Sequence, residues 1–330
     1  MTKIEPPANE PLTMRILISY HYFQDVNVGA MIRKLQDLSG IEKMDVFADS
    51  GAFTAQSQGV HIELSEYVEW IHKWEEYLTV YLNLDVIGNQ EGTNANQETL
   101  ENKFGVHPVP VFTFQWHGSD YDTLAWQLDK YEYISLGGMV PFMMRPKAVM
   151  PHLIKCFKMA GDRAVFHGLG CTSKQILNNM PFYSVDSSSW SSGGRWRTVH
   201  AFDEKKGRWI RGDWKRHHGK IQESLLRLAP FFDRFGLDIH HAAFNKQGHW
   251  TLTQAQGLSY ILMERWLRKR HKLISLPSKR DIASDRGLKI YLASFDAMFF
   301  NKLAEAFVVF QDKELETSKQ ERGGLDYGLA

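Results

Sequence analysis

The sequence predicts an α/β protein: a (β/α)8 TIM barrel with additional C-terminal helices. Three observations lead there. From Met14 onward, short β-rich runs alternate with amphipathic stretches, and seven such alternations imply parallel strands joined by right-handed crossovers. Near the end of nearly every run stands a residue that apolar burial does not explain: Asp49, Asp85, Gln115, the Gly137-Gly138 pair, His167 and Asp186. A barrel brings those ends to one mouth, whereas an open sheet leaves its outer strands too far from the switch point to share a site. No GxGxxG follows the first run, which argues against a dinucleotide-binding sheet.

The strands are expected at 15–22 (RILISYHY), 44–48 (MDVFA), 80–85 (VYLNLD), 109–115 (VPVFTFQ), 133–136 (YISL), 164–167 (AVFH) and 183–186 (YSVD). Between them the clearest helix covers 63–78. There Leu64, Tyr67, Val68, Ile71, Trp74 and Leu78 share one face, and Glu66, Glu69, Lys73 and Glu76 the other. Further helices are expected over 120–130, after Pro146, and from Thr172 or Ser173, either of which can cap exposed N–H groups. Residues 187–194, SSSWSSGG, read as a mobile loop and a candidate lid. The last strand has two candidates, 198–202 and 288–292, and the stretches 216–235, 250–271 and 289–310 look helical. This divides the chain into a tail (1–13), a barrel core carrying the motifs (14–215) and a basic, mainly helical part (216–330) that packs on the barrel or completes it.

Composition excludes several classes. The 330 residues are 43% hydrophobic and 23% charged, as in an ordinary globular protein rather than a disordered one. The formal net charge of +1 supplies no global field toward nucleic acid or membrane. Two cysteines cannot form a disulfide framework or a four-thiolate metal site. The opening MTKIEPPANEP lacks the apolar core of a signal peptide, and no apolar run reaches the roughly 18 to 20 residues that span a bilayer. The expectation is a cytoplasmic protein with no membrane partner.

Two carboxylates carry the candidate chemistry. Asp49 lies in FADSGAF, where a buried strand ends in an acid followed by Ser50-Gly51, a turn that lets a ligand approach the backbone. Asp186 lies in YSVDSSSW in the corresponding position. A pair of acids at one mouth suits glycosidic cleavage, one as nucleophile on the anomeric carbon and the other as proton donor to the leaving group; a lone Asp after a strand equally often caps the next helix. Asp85, in NLDVIGN, can accept two hydrogen bonds from the N–H and amino groups of one heterocycle edge, such as guanine's. Gln115, in FTFQWHG, and the backbone N–H near Gly138 can donate to a carbonyl of the same ring. Phe53 and His167 can wall or stack on a planar base, although a His at a strand end is more often a satisfied structural residue. No HExxH or CxxC is present, so no metal site is expected. Cys171 reads as a buried, inert thiol.

Local charge points to a polyanion. Residues 195–220 hold nine Lys or Arg against three acids, and residues 265–280 hold seven basic residues and no acid. Arg195, Arg197, Lys205, Lys206, Arg208, Arg211, Lys215 and Arg216 interleave with Trp196, Trp209 and Trp214, and Arg268, Lys269 and Arg270 form a second cluster. Cations that hold phosphates beside aromatic faces that stack on unpaired bases make a nucleic-acid footprint; a solvated face with core-anchored tryptophans is the alternative.

The ordered series DSGAF, LD, FQWHG, SLGGM, FHGLG and VDSSSW, over residues 44–190, resembles the tRNA-guanine transglycosylase superfamily. The resemblance implies roles position by position. Asp49 matches the acid–base Asp, Asp85 the guanine-recognising Asp, Gln115 the base-contacting Gln, Gly137 and Gly138 the Gly pair at the base carbonyl, and Asp186 the nucleophile. His167 stands where the family has Met beneath the base, and Ser187-Ser188-Ser189 replaces its Pro-Thr-Arg. The tRNA-acting members carry three cysteines and a histidine as a zinc site; here no cysteine follows Cys171. The chain therefore looks more like the DNA-modifying branch of phages and bacterial genomic islands, which exchanges guanine in DNA for a 7-deazaguanine such as preQ0. Without a further cofactor, the implied partners are DNA, with tRNA as the alternative, a free 7-deazaguanine base, and a second copy in a homodimer. A base-excising N-glycosidase or a sugar hydrolase on the same barrel, and a non-catalytic nucleic-acid-binding subunit, are the competing expectations.

Overall fold

A computed structural model of the chain describes residues 12–143, 145–192, 198–213 and 222–326. Its centre is an eight-stranded sheet in which every pair is parallel: β1 (Arg15–Ser19), β2 (Asp45–Asp49), β3 (Val80–Tyr81), β4 (Val111–Thr113), β5 (Tyr133–Gly137), β6 (Val165–Gly168), β7 (Ser184–Ser187) and β10 (Lys289–Ala293). The order across the sheet is β3-β2-β1-β10-β7-β6-β5-β4. The sheet is strongly curled. Phe47 on β2 and His167 on β6, four strands apart in that order, stack with ring centroids 4.3 Å apart. A parallel bridge joins Leu82, just after β3, to Val109, just before β4, with Asn83 N–H donating to the Val109 carbonyl at 3.0 Å.

Both faces of the strands are apolar, as parallel strands require when helices cover the outside. On β1 and β2, Ile16, Ile18, Val46 and Ala48 face the helices and belong to the large core, while Leu17 and Phe47 join Leu82, Val111 and Tyr291 in a second cluster inside the curl. All seven strands expected before residue 190 form. The one at 80–85 shrinks to two residues and a bridge, and just beyond it the Asn83 side chain donates to the Thr93 carbonyl at 2.8 Å.

Helices follow the strands. Asn27 caps Val28–Ser39 by accepting from the Ala30 N–H, and Asn89 caps Gln90–Asn102 through the Gly92 N–H, both at 2.9 Å. Asp120 caps Tyr121–Lys130. The amphipathic stretch at 63–78 forms Leu64–Trp74 and one further 3-10 turn. Ser173 precedes only a single turn, Lys174–Leu177, and makes no capping bond.

The chain after β7 departs most from expectation. Residues Thr198–Asp203 (β8) and Arg208–Asp213 (β9) form a separate antiparallel pair. Of the two candidates for the last sheet strand, the one at 288–292 forms β10, which pairs with both β7 and β1, so the helix expected over 289–310 starts only after it. Helix Ala297–Asp326 follows it. Helix Gly248–Arg270 holds β10 in place: buried Glu264 accepts from the Ile290 N–H at 2.6 Å and also receives the Arg15 guanidinium of β1. No described helix is long and apolar enough to cross a membrane.

The SSSW segment is anchored rather than mobile over its described residues. Trp190 is fully buried, stacks on Phe300 and donates its indole N–H to the Ala293 carbonyl at 2.7 Å. A lid hinged here would have to extract that ring, so the lid expectation is withdrawn for residues 187–192; residues 193–194 lie outside the described residues. Trp190→Ala is expected to lower unfolding stability by about 3–5 kcal/mol, the usual cost of deleting a buried aromatic side chain. Urea titration checks this, and a loss under about 1 kcal/mol would show that the anchor is weak.

Candidate functional site

Parallel strands present their C-terminal ends on one rim, and that geometry assembles the acids. Asp49 ends β2 and Asp186 lies in β7, while Asp85 follows the Leu82 bridge. The three interact. Burial, then the charges of Asp85 and Asp186, push the Asp49 carboxyl up to about 7, against opposing hydrogen bonds from the Gly51 and Ser50 backbone. Burial pushes Asp85 up to about 6, partly offset by its own backbone N–H and by the Ser50 hydroxyl. Like charges sharing a poorly solvated site resist joint ionisation. A carboxyl near 7 can give and take a proton at neutral pH.

The local turns explain why these acids point inward. Gly51 has φ +79°, and a Cβ there would lie 2.2 Å from Ser19 Oγ, so only glycine permits β2 to turn so tightly against β1. Its N–H donates to Asp49 Oδ2 at 3.2 Å. Gly138, exposed at the end of β5, has φ +74°, and a Cβ would lie 2.5 Å from the Phe114 carbonyl. Only glycine fits at that point, which leaves backbone without a side chain at the end of β5. Gly137 is buried within β5, opposite Thr113 of β4. Gln115 is half-buried beyond β4, its backbone N–H bonded to Ser119 Oγ at 3.0 Å. Phe53 is 62% exposed in the first turn after Gly51.

Asp186 is 8% exposed. Its Oδ1 accepts from the Gly170 N–H at 2.7 Å and meets His167 Nε2 at 3.2 Å.

Three expected base contacts and binding residues take other positions. His167 is completely buried, stacked on Phe47, with Nδ1 bonded to Ser184 Oγ at 2.6 Å and Nε2 to Asp186. With its ring face and both nitrogens engaged, it supports the carboxylate and does not wall a base. Ser50 is also fully buried; its hydroxyl meets the Ala52 N–H and Asp85, so it orients an acid from behind. Arg268 is 4% exposed and donates to the Arg286 and Leu288 carbonyls at 2.6 and 2.7 Å, bracing the approach to β10 rather than offering charge to phosphate.

The remaining basic candidates divide. Lys205, Lys206, Arg208 and Arg211 ride the exposed side of the β8–β9 hairpin, with Arg211 paired to Asp213 at 3.0 Å. Lys269 and Arg270 are exposed at the end of helix Gly248–Arg270, and Arg270 lies over the Trp266 ring. Trp209 packs against Phe202 and Tyr260, so its ring serves the hairpin's own core. Arg195, Trp196, Arg197, Trp214, Lys215 and Arg216 lie outside the described residues.

The thiols are poor nucleophiles. Burial, then the Asp186 charge, pushes Cys171 up to about 12. Cys156 is buried 3.5 Å from His152 Nε2 and is also pushed to about 12 by burial. Among the described residues no group of three or more His, Cys, Asp and Glu is placed to hold a metal ion. A cavity of about 520 Å³ adjoins the rim, lined by Ala52, Ala55, Ile62, Leu84 and Ile87 among others. It shares Asp85 with the acidic group but does not include Asp49, Gln115, Gly138 or Asp186.

Sequence reasoning missed Ser184, Tyr133 and the Gly170 N–H. The signal for Ser184 was present, since residues two apart on a strand share a face and Ser184 stands two before Asp186. Trp116, inside the FQWHG motif, is 58% exposed and stacks on Phe142 at 5.1 Å, an aromatic surface at the same rim. The chain matches no model of a known protein family and no curated protein.

The raised Asp49 carboxyl makes a signed prediction. Its folded pKa near 7 exceeds the unfolded value of about 3.9, so its contribution is fully present below pH 4 and is lost as the pH rises to 7. Asp49→Asn should therefore gain thermal stability over the wild type between pH 4 and 7 and hold that gain above 7. Equal melting temperatures across the whole series would show that ionised Asp49 costs the fold nothing.

Proposed function

We propose that the protein is a base-exchanging transglycosylase that replaces guanine in DNA with a 7-deazaguanine through a covalent Asp186 glycosyl ester. The curled sheet is read as a closed eight-stranded barrel, an interpretation supported by the Leu82–Val109 bridge between its outer strands. The observation that carries the reading is the electrostatic coupling of Asp49 to both Asp85 and Asp186 at the rim, with Asp49 held near neutrality.

In the first step Asp186 attacks C1′ of a flipped deoxyguanosine as the C1′–N9 bond breaks, and Asp49, directly or through a water, protonates the departing guanine. In the second, the incoming 7-deazaguanine loses its N9 proton to Asp49 and attacks C1′ from the face opposite the ester. The C1′–O bond breaks, Asp186 is released as carboxylate and the original configuration returns. Asp85, Gln115 and the Gly138 backbone recognise the ring edge, and Phe53 offers a stacking face. Carboxylates supply all the proton transfers, so the proposed chemistry needs no metal or redox cofactor. The exposed basic side chains of the β8–β9 hairpin are proposed to hold phosphates, and the chain works in the cytoplasm of its cell or of a phage's host.

Incubation with guanine-containing DNA, tRNA and labelled preQ0 tests the reading. Label in DNA, with release of free guanine, is the expected result. Label in tRNA alone would reassign the polymer, and abasic sites without label would make the protein a hydrolase. Asp186→Ala should abolish a denaturation-resistant DNA adduct; intact exchange in that variant would remove Asp186 as nucleophile. The proton-donor role of Asp49 adds a pH signature. Single-turnover guanine release should fall about tenfold per unit above pH 7 as Asp49 ionises, and a flat profile from pH 6 to 9 would exclude it.

A further inference from the structure

We infer that His167 is the positioning residue of Asp186, locked in its neutral Nε2–H tautomer by a buried Tyr133–Ser184 hydroxyl relay, so that Oδ1 is pinned and Oδ2 is the attacking oxygen. The assignment of an attacking oxygen rests on the reading of Asp186 as nucleophile; the relay itself does not. All three relay members project into the curl of the sheet from adjacent strands. Tyr133 on β5 meets Ser184 Oγ on β7, Ser184 Oγ lies 2.6 Å from His167 Nδ1 on β6, and His167 Nε2 lies 3.2 Å from Asp186 Oδ1.

The direction of the relay follows from which groups carry hydrogens. A carboxylate oxygen only accepts, so Nε2 must hold the proton it shares with Asp186. In the neutral ring Nδ1 then accepts, and Ser184 is the donor. Ser184 Oγ in turn accepts from Tyr133, whose hydroxyl keeps its proton because burial raises its pKa well beyond the usual range. Ser184 thus gives one hydrogen and takes one, and Tyr133 heads the relay as a donor. The opposite tautomer would set a ring lone pair against Oδ1. Stacking on Phe47 at 4.3 Å, with Tyr291 beside the ring at 6.3 Å, prevents His167 from rotating away.

For Asp186 the consequence is asymmetric. Both donors, His167 Nε2–H and the Gly170 N–H at 2.7 Å, fall on Oδ1. They hold the plane of the carboxylate without a full counter-charge, which would blunt its nucleophilicity. Oδ2 is left to form the bond to C1′.

Nitrogen-15 labelling tests the relay independently of activity. Two-bond ring correlations of His167, assigned by their loss in His167→Gln, should show protonated Nε2 and unprotonated Nδ1 at neutral pH. Ser184→Ala should mix the tautomers while leaving the fold intact by circular dichroism. In single-turnover assays Ser184→Ala and His167→Leu should slow adduct formation about tenfold or more, the effect of one hydrogen bond to a charged group, with the KM for DNA unchanged. His167→Gln, which keeps an N–H donor, should recover most of that loss relative to His167→Leu. An imidazolium or Nδ1–H signature would overturn the relay, as would a His167→Leu variant as fast as wild type. If the wild-type protein forms no adduct and exchanges no base, the nucleophile reading and the role of Oδ2 fall, while the ring signature still decides the relay.

Discussion

The insertion of β10 between β1 and β7 is the constraint on which the rest depends. These five residues arrive about a hundred positions after β7 and complete the parallel array, and Glu264, on a helix outside the sheet, ties them to β1 by binding both Arg15 and the β10 backbone. A buried carboxylate facing a buried guanidinium is costly to desolvate and costly to break, so it fixes register more than it adds stability. Asp45 extends the cluster by bonding Arg15 and the Tyr291 hydroxyl. Burial lowers the Lys289 pKa, while Asp45 and Asp285 oppose that shift. The end of the sheet opposite the rim is thus filled by charged groups that specify which strands are neighbours.

That register has a direct effect on chemistry. Pairing Ser19 with Asp49 and Tyr291 with Asp186 puts two acids from non-adjacent strands on one rim. Poor solvation then separates their roles. Asp49 is raised to about 7 and can exchange protons, whereas Asp186 receives two N–H donors on one oxygen. Two groups of identical chemistry are thus made different by their surroundings alone, which is what the proposed proton carrier and nucleophile require.

The interior of the curl links these two ends. Phe47 and His167 stack midway with Tyr291 against them edge-on or tilted, and the Tyr133–Ser184–His167 relay passes from there to Asp186. The relay groups survive in this position because each finds a partner, which is the condition for placing hydrogen bonds in a low-dielectric interior; the neighbouring Ser135 hydroxyl is buried without one. The same packing explains why the histidine is unavailable to a ligand. A ring fully enclosed by two aromatic neighbours cannot also form the wall of an open pocket.

Sequence by itself determined the alternation of strands and helices, the seven strands before residue 190, and the placement of Asp49, Asp85, Gln115, Gly138 and Asp186 at strand ends, because period-2 and period-3.6 patterns and turn residues are local properties. The inertness of Cys171 was legible for the same reason. Tertiary structure alone decided that 289–293 joins the sheet as a strand and that 198–203 forms a separate hairpin, since both runs have strand character and only long-range pairing separates them. It also decided that Trp190 is an anchor, that Arg268 is buried, and that His167 and Ser50 stand behind the acids instead of beside a ligand. A side chain's polarity is written in the sequence; whether it faces water, a ligand or another buried group depends on partners far along the chain, which no local pattern specifies.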